Sequence, residues 1–583
     1  MKQKWFQMKR IPGYILPAAV TAGLFFLVLL PPVYLFINSF TNSGGALFPG
    51  GLTPGNYIQV LHHPEITALL ANSLLFACGS ACLACATGIT LAWLYERAGL
   101  PYKFLIFSLV LIPLVVPGLL FTISWVFLLS PKTGIINHFL VSAAGLPGPP
   151  FNIYSFGGMI WVEGLTNTPL VFLLMKGVFS AFNRSWEETA YLSGASKRQV
   201  FYFINLPLAK PALFSAWLLV FIKGFTEFDV PAVIGLPAGY RVITSHIYTL
   251  LRNYPVDYGL ASAFSMLLVI IIILAVWLNK GIFRESLRYA TIKGGGFRPQ
   301  AGERGLRTRL ALIAVLLYLF VSTVMPFLIL LWSSLQPYYG LPGTESLKNL
   351  TFANYVTLFR YPNISGAFLR SFWLSITAGA IVIALSVMTG MYTVRSRLPG
   401  RNLLDGLVTL PMIFPGIVLG TAIILVYLRL PLPVYGTVLL LLIGYVTHGL
   451  PYGVRYTSAA LVQIHPELEE AALVCGATKL QQVCRITLPL LRASLVSGFL
   501  YIVVLTMRNL SIALLLYKPG SEVLSVAVWD LWNTGGYVTL SALGSLLIII
   551  LLLLAVLAGK LDIPGFGAVD YRSGGADVID RRA

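Results

Sequence analysis

Apolar residues gather into runs long enough to cross a bilayer, and twelve such runs follow one another along the chain. They lie at roughly residues 14–36, 68–94, 104–129, 155–180, 211–236 and 260–279, then 309–333, 371–394, 403–429, 436–460, 493–517 and 540–559. Each approaches the ~20 residues that a helix needs to traverse the hydrocarbon. Leu, Ile and Val dominate them with scattered Gly and Pro, a mixture that suits membrane helices better than strands. The pattern predicts an all-α polytopic membrane protein with about twelve transmembrane helices.

Composition supports lipid as the solvent. Of 583 residues, 57% are hydrophobic and 10% charged, whereas soluble domains carry about a quarter charged residues. The net charge of +19 raises nucleic acid as a partner, so the position of the basic residues decides. With Lys2, Lys4, Lys9 and Arg10 inside, about 28 of the 40 Lys and Arg fall in cytoplasmic segments and about nine outside, as the positive-inside rule expects. That places both termini in the cytoplasm and leaves no nucleic-acid site. The densest basic run, from Lys280 through Arg284, Arg288, Lys293, Arg298, Arg304 and Arg307 to Arg309, encloses Gly294, Gly295 and Gly296 and reads as an inside linker. The first apolar run is too long for a signal sequence and holds Pro31-Pro32, so it is expected to stay as the first span. Cys78, Cys82 and Cys85 share a helix face by their spacing and read as packing residues buried in a span. Adjacent His62 and His63 read as surface loop rather than metal ligands.

The chain is also a duplication. Asn56-Tyr57 matches Asn354-Tyr355, Pro101 matches Pro399, and Pro117-Gly118 matches Pro415-Gly416, all at an offset of 298. Pro169 then matches Pro451, Glu188 Glu470, Gly194 Gly476 and Pro207 Pro489 at an offset of 282. The difference falls in an outside loop, Pro131 to Phe151, where length is tolerated. Two six-helix halves follow, residues 1–290 and 309–565, with a linker at 291–308 and a cytoplasmic tail at 566–583. Halves of equal orientation pair about an axis along the membrane normal, with a pathway between them. That topology alone also suits a secondary transporter.

The loops between the fourth and fifth spans of each half discriminate. One, about 183–210, carries Glu188, Ala190, Gly194, Ile204 and Pro207; the other, about 465–492, carries Glu470, Ala471, Ala472, Gly476, Ile486 and Pro489. Ser185 and Glu188 have capping-box spacing, Pro466 suits a first helical turn, and Glu467, Glu469 and Glu470 suit its positive end. The two Gly permit a left-handed turn, after which a second short helix is expected to run until Pro207 or Pro489 stops it. The result is a bent two-helix foot.

Both loops resemble the EAA loop of binding-protein-dependent ABC importer permeases, with Thr189 in place of the first Ala in the first copy. The resemblance implies the type I importer (MetI-like) fold in the bacterial inner membrane. It also implies docking of each foot on an ATPase subunit, two such subunits in all, and a periplasmic or lipid-anchored solute-binding protein. No phosphate-cradling Gly-x-x-x-x-Gly-Lys-Ser/Thr sequence occurs. The chain is therefore expected to bind no cofactor, to hold no metal and to catalyse no covalent step, ATP being used by the partner.

Polar residues at membrane depth mark candidate path positions: Glu163 and Asn167, Lys223, Glu227 and Asp229 in the first half, and His448, Arg508 and Asn509 in the second. Fused permeases with an EAA loop in each half are typical of ferric iron importers, with relatives for thiamine and 2-aminoethylphosphonate. The stretch Glu227-Phe-Asp229-Val-Pro231 resembles the iron members. Arg508-Asn509 stands where those often carry an acidic residue, a departure that leaves room for an anionic or neutral solute.

Overall fold

In a computed structural model, residues 21–41, 51–182, 184–289, 305–360, 362–396 and 400–560 are described. The amino-terminal basic cluster, most of the linker and the expected cytoplasmic tail lie outside them.

Among the described residues ten helices are long and apolar enough to cross a membrane: Thr21–Ser39, Ile66–Arg97, Phe156–Ala181, Arg198–Thr226 and Tyr258–Trp277, then Leu306–Ser334, Asn363–Arg395, Val438–Gln463, Lys479–Met507 and Tyr537–Leu557. The remaining two of the twelve expected spans are broken. Lys103–Val115 meets Gly118–Leu129 at 103°, and Arg401–Ile413 meets Gly416–Tyr427 at 110°. Pro117 and Pro415 sit at the corners with extended ψ of 133° and 151°. Proline lacks the N–H that would continue the first helix, and its ring disfavours a helical conformation in the residue before it. The proline-glycine pair thus turns each third span back on itself.

The fifth spans differ from the expected 211–236 and 493–517. Each starts more than ten residues earlier and ends at Thr226 or Met507, because Pro207 and Pro489 do not stop the preceding helix. A π-turn, Phe201–Asn205 or Val483–Thr487, precedes each proline. Leu206 N–H donates to Phe201 O, and Leu488 N–H to Val483 O. Shifting the register by one residue carries the helix past a residue that cannot donate. Beyond each fifth span lie a short buried helix, Pro231–Gly235 or Ser511–Leu516, and a longer one, Ile243–Arg252 or Leu524–Asn533.

Two further expectations are corrected. The Pro131 to Phe151 segment contains a helix, Ile135–Ala144, whose buried Asn137 donates to the carbonyls of Leu129, Ser130 and Phe151 at 2.8–3.0 Å. Cys85 is buried but Cys82 is exposed, so the three cysteines do not share a packed face. Trp217 Nε1 donates to Cys82 Sγ at 3.4 Å. Among the described residues no cluster of His, Cys, Asp and Glu has metal-binding geometry.

The duplication extends to individual hydrogen bonds. Asn56 Nδ2 donates to the carbonyls of Ser39 and Thr41, and Asn354 Nδ2 to those of Ser334 and Gln336. Ser73 Oγ accepts Ile243 N–H, and Ser371 Oγ accepts Leu524 N–H. The halves also grip each other reciprocally. Arg429, just past the broken span of the second half, donates to Asn38 at the end of the first span. Tyr339, just past the seventh span, donates to the carbonyls of Phe127 and Thr133 beside the broken span of the first half. Small residues let the second and fourth spans touch: a Cβ on Gly88 would lie 2.7 Å from Val171 Cβ, and one on Gly453 2.5 Å from Ser386 Oγ.

Candidate functional site: two feet and a buried polar centre

Each foot starts with a nine-residue helix, Arg184–Leu192 or Pro466–Val474, the latter with Pro466 in its first turn. Gly194 and Gly476 follow with φ of +84° and +87°. Both close the helix in the same way: Gly194 N–H donates to Tyr191 O and Ala195 N–H to Ala190 O, while Gly476 N–H donates to Leu473 O and Ala477 N–H to Ala472 O. The six-to-one bond of a Schellman turn requires the residue just before its donor to be left-handed, a conformation in which glycine carries no Cβ penalty. Ala190 and Ala472 therefore have a backbone role, and Ala472 is also buried.

The capping box lies elsewhere than expected. The helix begins at Arg184, so Ser185 is inside it, and the side chains of Ser185 and Glu188 are outside the described residues. The reciprocal pattern occurs at the second foot helix instead: Ser196 with Gln199, and Thr478 with Gln481, each side chain bonding the other's backbone N–H at 2.7–3.3 Å. Sequence spacing carried this signal at both positions, one turn beyond each glycine.

Glu470 is exposed and does not anchor its foot. That role falls to the preceding acid. Arg97 Nη2 lies 2.8 Å from Glu187 Oε1, and Arg395 Nε 3.3 Å from Glu469 Oε1, with all four side chains 11–15% exposed. The arginines correspond at the 298 offset and the glutamates at 282, a coincidence available in the sequence only once both registers are compared together. The opposite face of each foot helix is apolar and open: Leu192 is 90% exposed and its counterpart Val474 88%. Ile204 and Ile486 are half-buried, and Pro207 and Pro489 exposed. Ser193, Gly194, Ala195, Gln199, Val200, Phe203 and Ile204 line a hollow of about 360 Å³ in the first elbow.

Toward the middle of the bundle, Glu163, Lys223, Glu227, Asp229 and Arg508 share one electrostatic neighbourhood. Glu163 and Asn167 are buried one turn apart, with Asn167 Nδ2 2.5 Å from Glu163 Oε1. Asp229 N–H donates to Glu227 Oε1 at 3.0 Å, and the Asp229 carboxylate accepts Leu119 N–H at the start of the helix after the first break. Arg508, from the second half, donates to Leu114 O at the end of the helix before that break. Both helix ends exposed by the broken span thus find side-chain partners. Asn509 serves its own half, where Oδ1 accepts Ile512 N–H at 3.0 Å. His448 packs edge-on against Tyr452. All eight candidate path residues lie on a fourth span or at the end of a fifth, and the acidic members belong to the first half alone, since Tyr445, Asn509 and Ser511 hold the corresponding places in the second.

The chain matches the family described as "Binding-protein-dependent transport system inner membrane component" twice, over residues 84–285 and 382–562. It is 26% identical over 535 residues to the ferric transport system permease protein FbpB of Actinobacillus pleuropneumoniae, covering 91% of this chain and 75% of that protein. It is 27% identical over 506 residues to the putative ferric transport system permease protein FbpB 1 of Haemophilus influenzae, covering 86% and 77%. A bacterial alginate ABC transporter chain aligns over 48% of this chain and 96% of its own, with 18% identity and a TM-score of 0.36.

Proposed function

The chain belongs to the inner-membrane components of binding-protein-dependent transport systems, in two fused copies, and from that premise we propose that it is the complete transmembrane pathway of a ferric iron importer. As an ABC importer permease it moves a solute without altering it. Two feet, each built on a left-handed glycine and each presenting a nearly fully exposed aliphatic side chain at Leu192 or Val474, suit a pair of ATPase subunits related by the same axis as the halves. Glu188, Ala190, Gly194, Ile204 and Pro207, with Glu470, Ala471, Ala472, Gly476, Ile486 and Pro489, make up these coupling elements. The expected solute-binding protein delivers to the opposite face, and the positive-inside distribution puts both termini in the cytoplasm.

The observation that carries the iron reading is that three carboxylates, Glu163, Glu227 and Asp229, stand in one neighbourhood beside the first break in the span, as an acidic stretch rather than a chelating cluster. Carboxylate oxygens suit a hard, highly charged cation. Lys223 and Arg508 stand in the same neighbourhood and offset that charge. Asn167 extends the polar lining, with Asn509 and His448 across the axis. The two relatives named for ferric transport add to this reading.

Direct binding of Fe³⁺, thiamine and 2-aminoethylphosphonate to the partner solute-binding protein tests it, because that receptor selects the solute first. Tight binding of Fe³⁺ alone is expected. Preference for either organic solute discards iron and keeps the permease.

A further inference from the structure

The feet are covalently continuous with the fourth and fifth spans but not with the second, yet it is the second span that grips them. Arg97 ends the helix Ile66–Arg97 and pairs with Glu187 at 2.8 Å; Arg395 ends Asn363–Arg395 and pairs with Glu469 at 3.3 Å. These are not surface pairs, whose coupling is weak: Glu187 and Glu469 are 9% and 8% exposed. A half-desolvated carboxylate and guanidinium hold together because either one alone would be a buried unpaired charge.

The other end of the same helix is equally engaged. Ser73 Oγ accepts Ile243 N–H at 2.9 Å, and Ser371 Oγ accepts Leu524 N–H at 2.7 Å, at the start of the helices on the face opposite the feet. Ser73 and Arg97 are 24 residues apart on one helix, as are Ser371 and Arg395, or about 36 Å at about 1.5 Å per residue. The third spans are broken, and the fifth spans end at Thr226 and Met507. The second span therefore connects a foot to the far face as one continuous rod, α-helical to Arg97 in the first half and closing through a π-turn, Met391–Arg395, in the second.

We propose that Arg97 and Arg395 are positioning residues that lock each foot to its second span, so that displacement at the receptor face reaches the ATPase through that rod. In the second half the joint also reaches the fourth span. Arg395 Nη2 also donates to Leu461 O at 2.8 Å and Ile464 O at 2.7 Å, capping the end of the fourth span. Glu469 Oε1 accepts a hydrogen bond from Thr487 Oγ1 at 3.2 Å, at the π-turn within the fifth span. Asn205 occupies the position of Thr487 in the first half. The Arg395–Glu469 pair thus ties second span, fourth span, foot and fifth span together.

This inference rests on the reading of the feet as ATPase-docking elements. Its test uses the full chain co-purified with its cognate ATPase, reconstituted in nanodiscs, and reads ATP hydrolysis with and without the loaded solute-binding protein. A wild-type chain that captures no ATPase removes the docking reading itself. With wild-type assembly in hand, Glu187→Gln and Glu469→Gln are expected to keep the ATPase but reduce stimulation by the binding protein at least about fivefold, the lower range of ordinary coupling between sites. The swap of Arg97→Glu with Glu187→Arg is expected to restore stimulation. Full stimulation in both single variants overturns the proposal, as does a swap that assembles and stays uncoupled. If neither singles nor swap assemble, Arg97→Lys decides. Assembly with reduced stimulation supports the joint, and loss of assembly there too reduces the pair to a folding contact and overturns it.

Discussion

A Cβ built on Gly118 would lie 2.9 Å from Asp229 Oδ2, so the absence of a side chain at the corner of the broken span is what admits the carboxylate. Asp229 then accepts Leu119 N–H, one of the free donors at the start of the helix after the break. The second half repeats the arrangement with a smaller group: Gly416 faces Ser511, whose Cβ would be 3.0 Å from a Cβ on Gly416, and Ser511 matches Asp229 at the 282 offset. Gly118→Ala is expected to displace Asp229 and cost about 1–3 kcal/mol, as overpacking does. Asp229→Asn, which keeps an acceptor, is expected to cost less than Asp229→Ala. Thermal unfolding midpoints in detergent check this, and a wild-type midpoint for Gly118→Ala would sink it.

At Gly194 and Gly476 the constraint is conformational rather than steric. No atom lies within 4 Å of a Cβ at either position, while φ is +84° and +87°. The left-handed conformation costs a side-chain-bearing residue about 1–2 kcal/mol, least for Asn. Gly476→Asn is therefore expected to retain ATPase capture, Gly476→Ala to weaken it, and Gly476→Val to weaken it most. Co-purified ATPase per permease measures the series. Equal capture across all three variants would mean that the turn does not shape the foot.

Asn56 and Asn354 each hold two backbone carbonyls of the segment that follows the first span of their half, at 2.6–3.0 Å. An apolar replacement leaves those carbonyls without a donor, and Asp presents oxygen to oxygen. Asn56→Leu is expected to cost roughly 2–4 kcal/mol, two unmet acceptors at about 1–2 each. Asn56→Asp should cost at least as much at neutral pH. Proteolysis of the segment after the first span is the direct readout, since cleavage there should rise in both variants and remain at the wild-type level elsewhere.

The fold was largely legible because lipid imposes a length on every span and because the chain repeats itself. Offsets of 298 and 282 located the feet, and the left-handed glycines followed from turn chemistry. The fifth spans were misplaced for a physical reason: Pro207 and Pro489 look like stops, but a π-turn ahead of each absorbs the missing donor, and no periodicity announces a five-residue turn. The grip on the feet was hidden for a different one. Arg97 and Glu187 are 90 residues apart, and in sequence Glu188 and Glu470 drew attention as the motif acids while the neighbouring glutamate carried the contact. His246 was passed over, and His62-His63 were read as loop. Yet His63 stands edge-on to His246, with ring centroids 4.9 Å apart.

That pair gives the receptor face a pH dependence. His246 lies on Ile243–Arg252, outside the ten spans, and is 5% exposed. It packs edge-on against His63 and Phe264, and neither ring nitrogen has a hydrogen-bond partner among the described residues. Burial is the main cause that lowers its pKa to about 4; His63 and Arg241 push the same way, and Glu65, paired with Arg241 at 3.1 Å, opposes them. A histidine depressed in the folded state is neutral there and protonates first in the unfolded chain. Its contribution is fully present above about pH 6.5 and is lost as pH falls toward about 4. Between pH 7 and pH 5 the loss is expected to be about 2 kcal/mol, from linkage at about 1.4 kcal/mol per unit over the window in which only the unfolded chain is charged. His246→Phe preserves the apolar packing and should remove that dependence while leaving stability at pH 7 near wild type. Unfolding midpoints in nanodiscs at pH 7 and pH 5 compare the two chains. A wild-type midpoint insensitive to pH, or a His246→Phe midpoint that falls in parallel with wild type, would show that the acid response originates at another group.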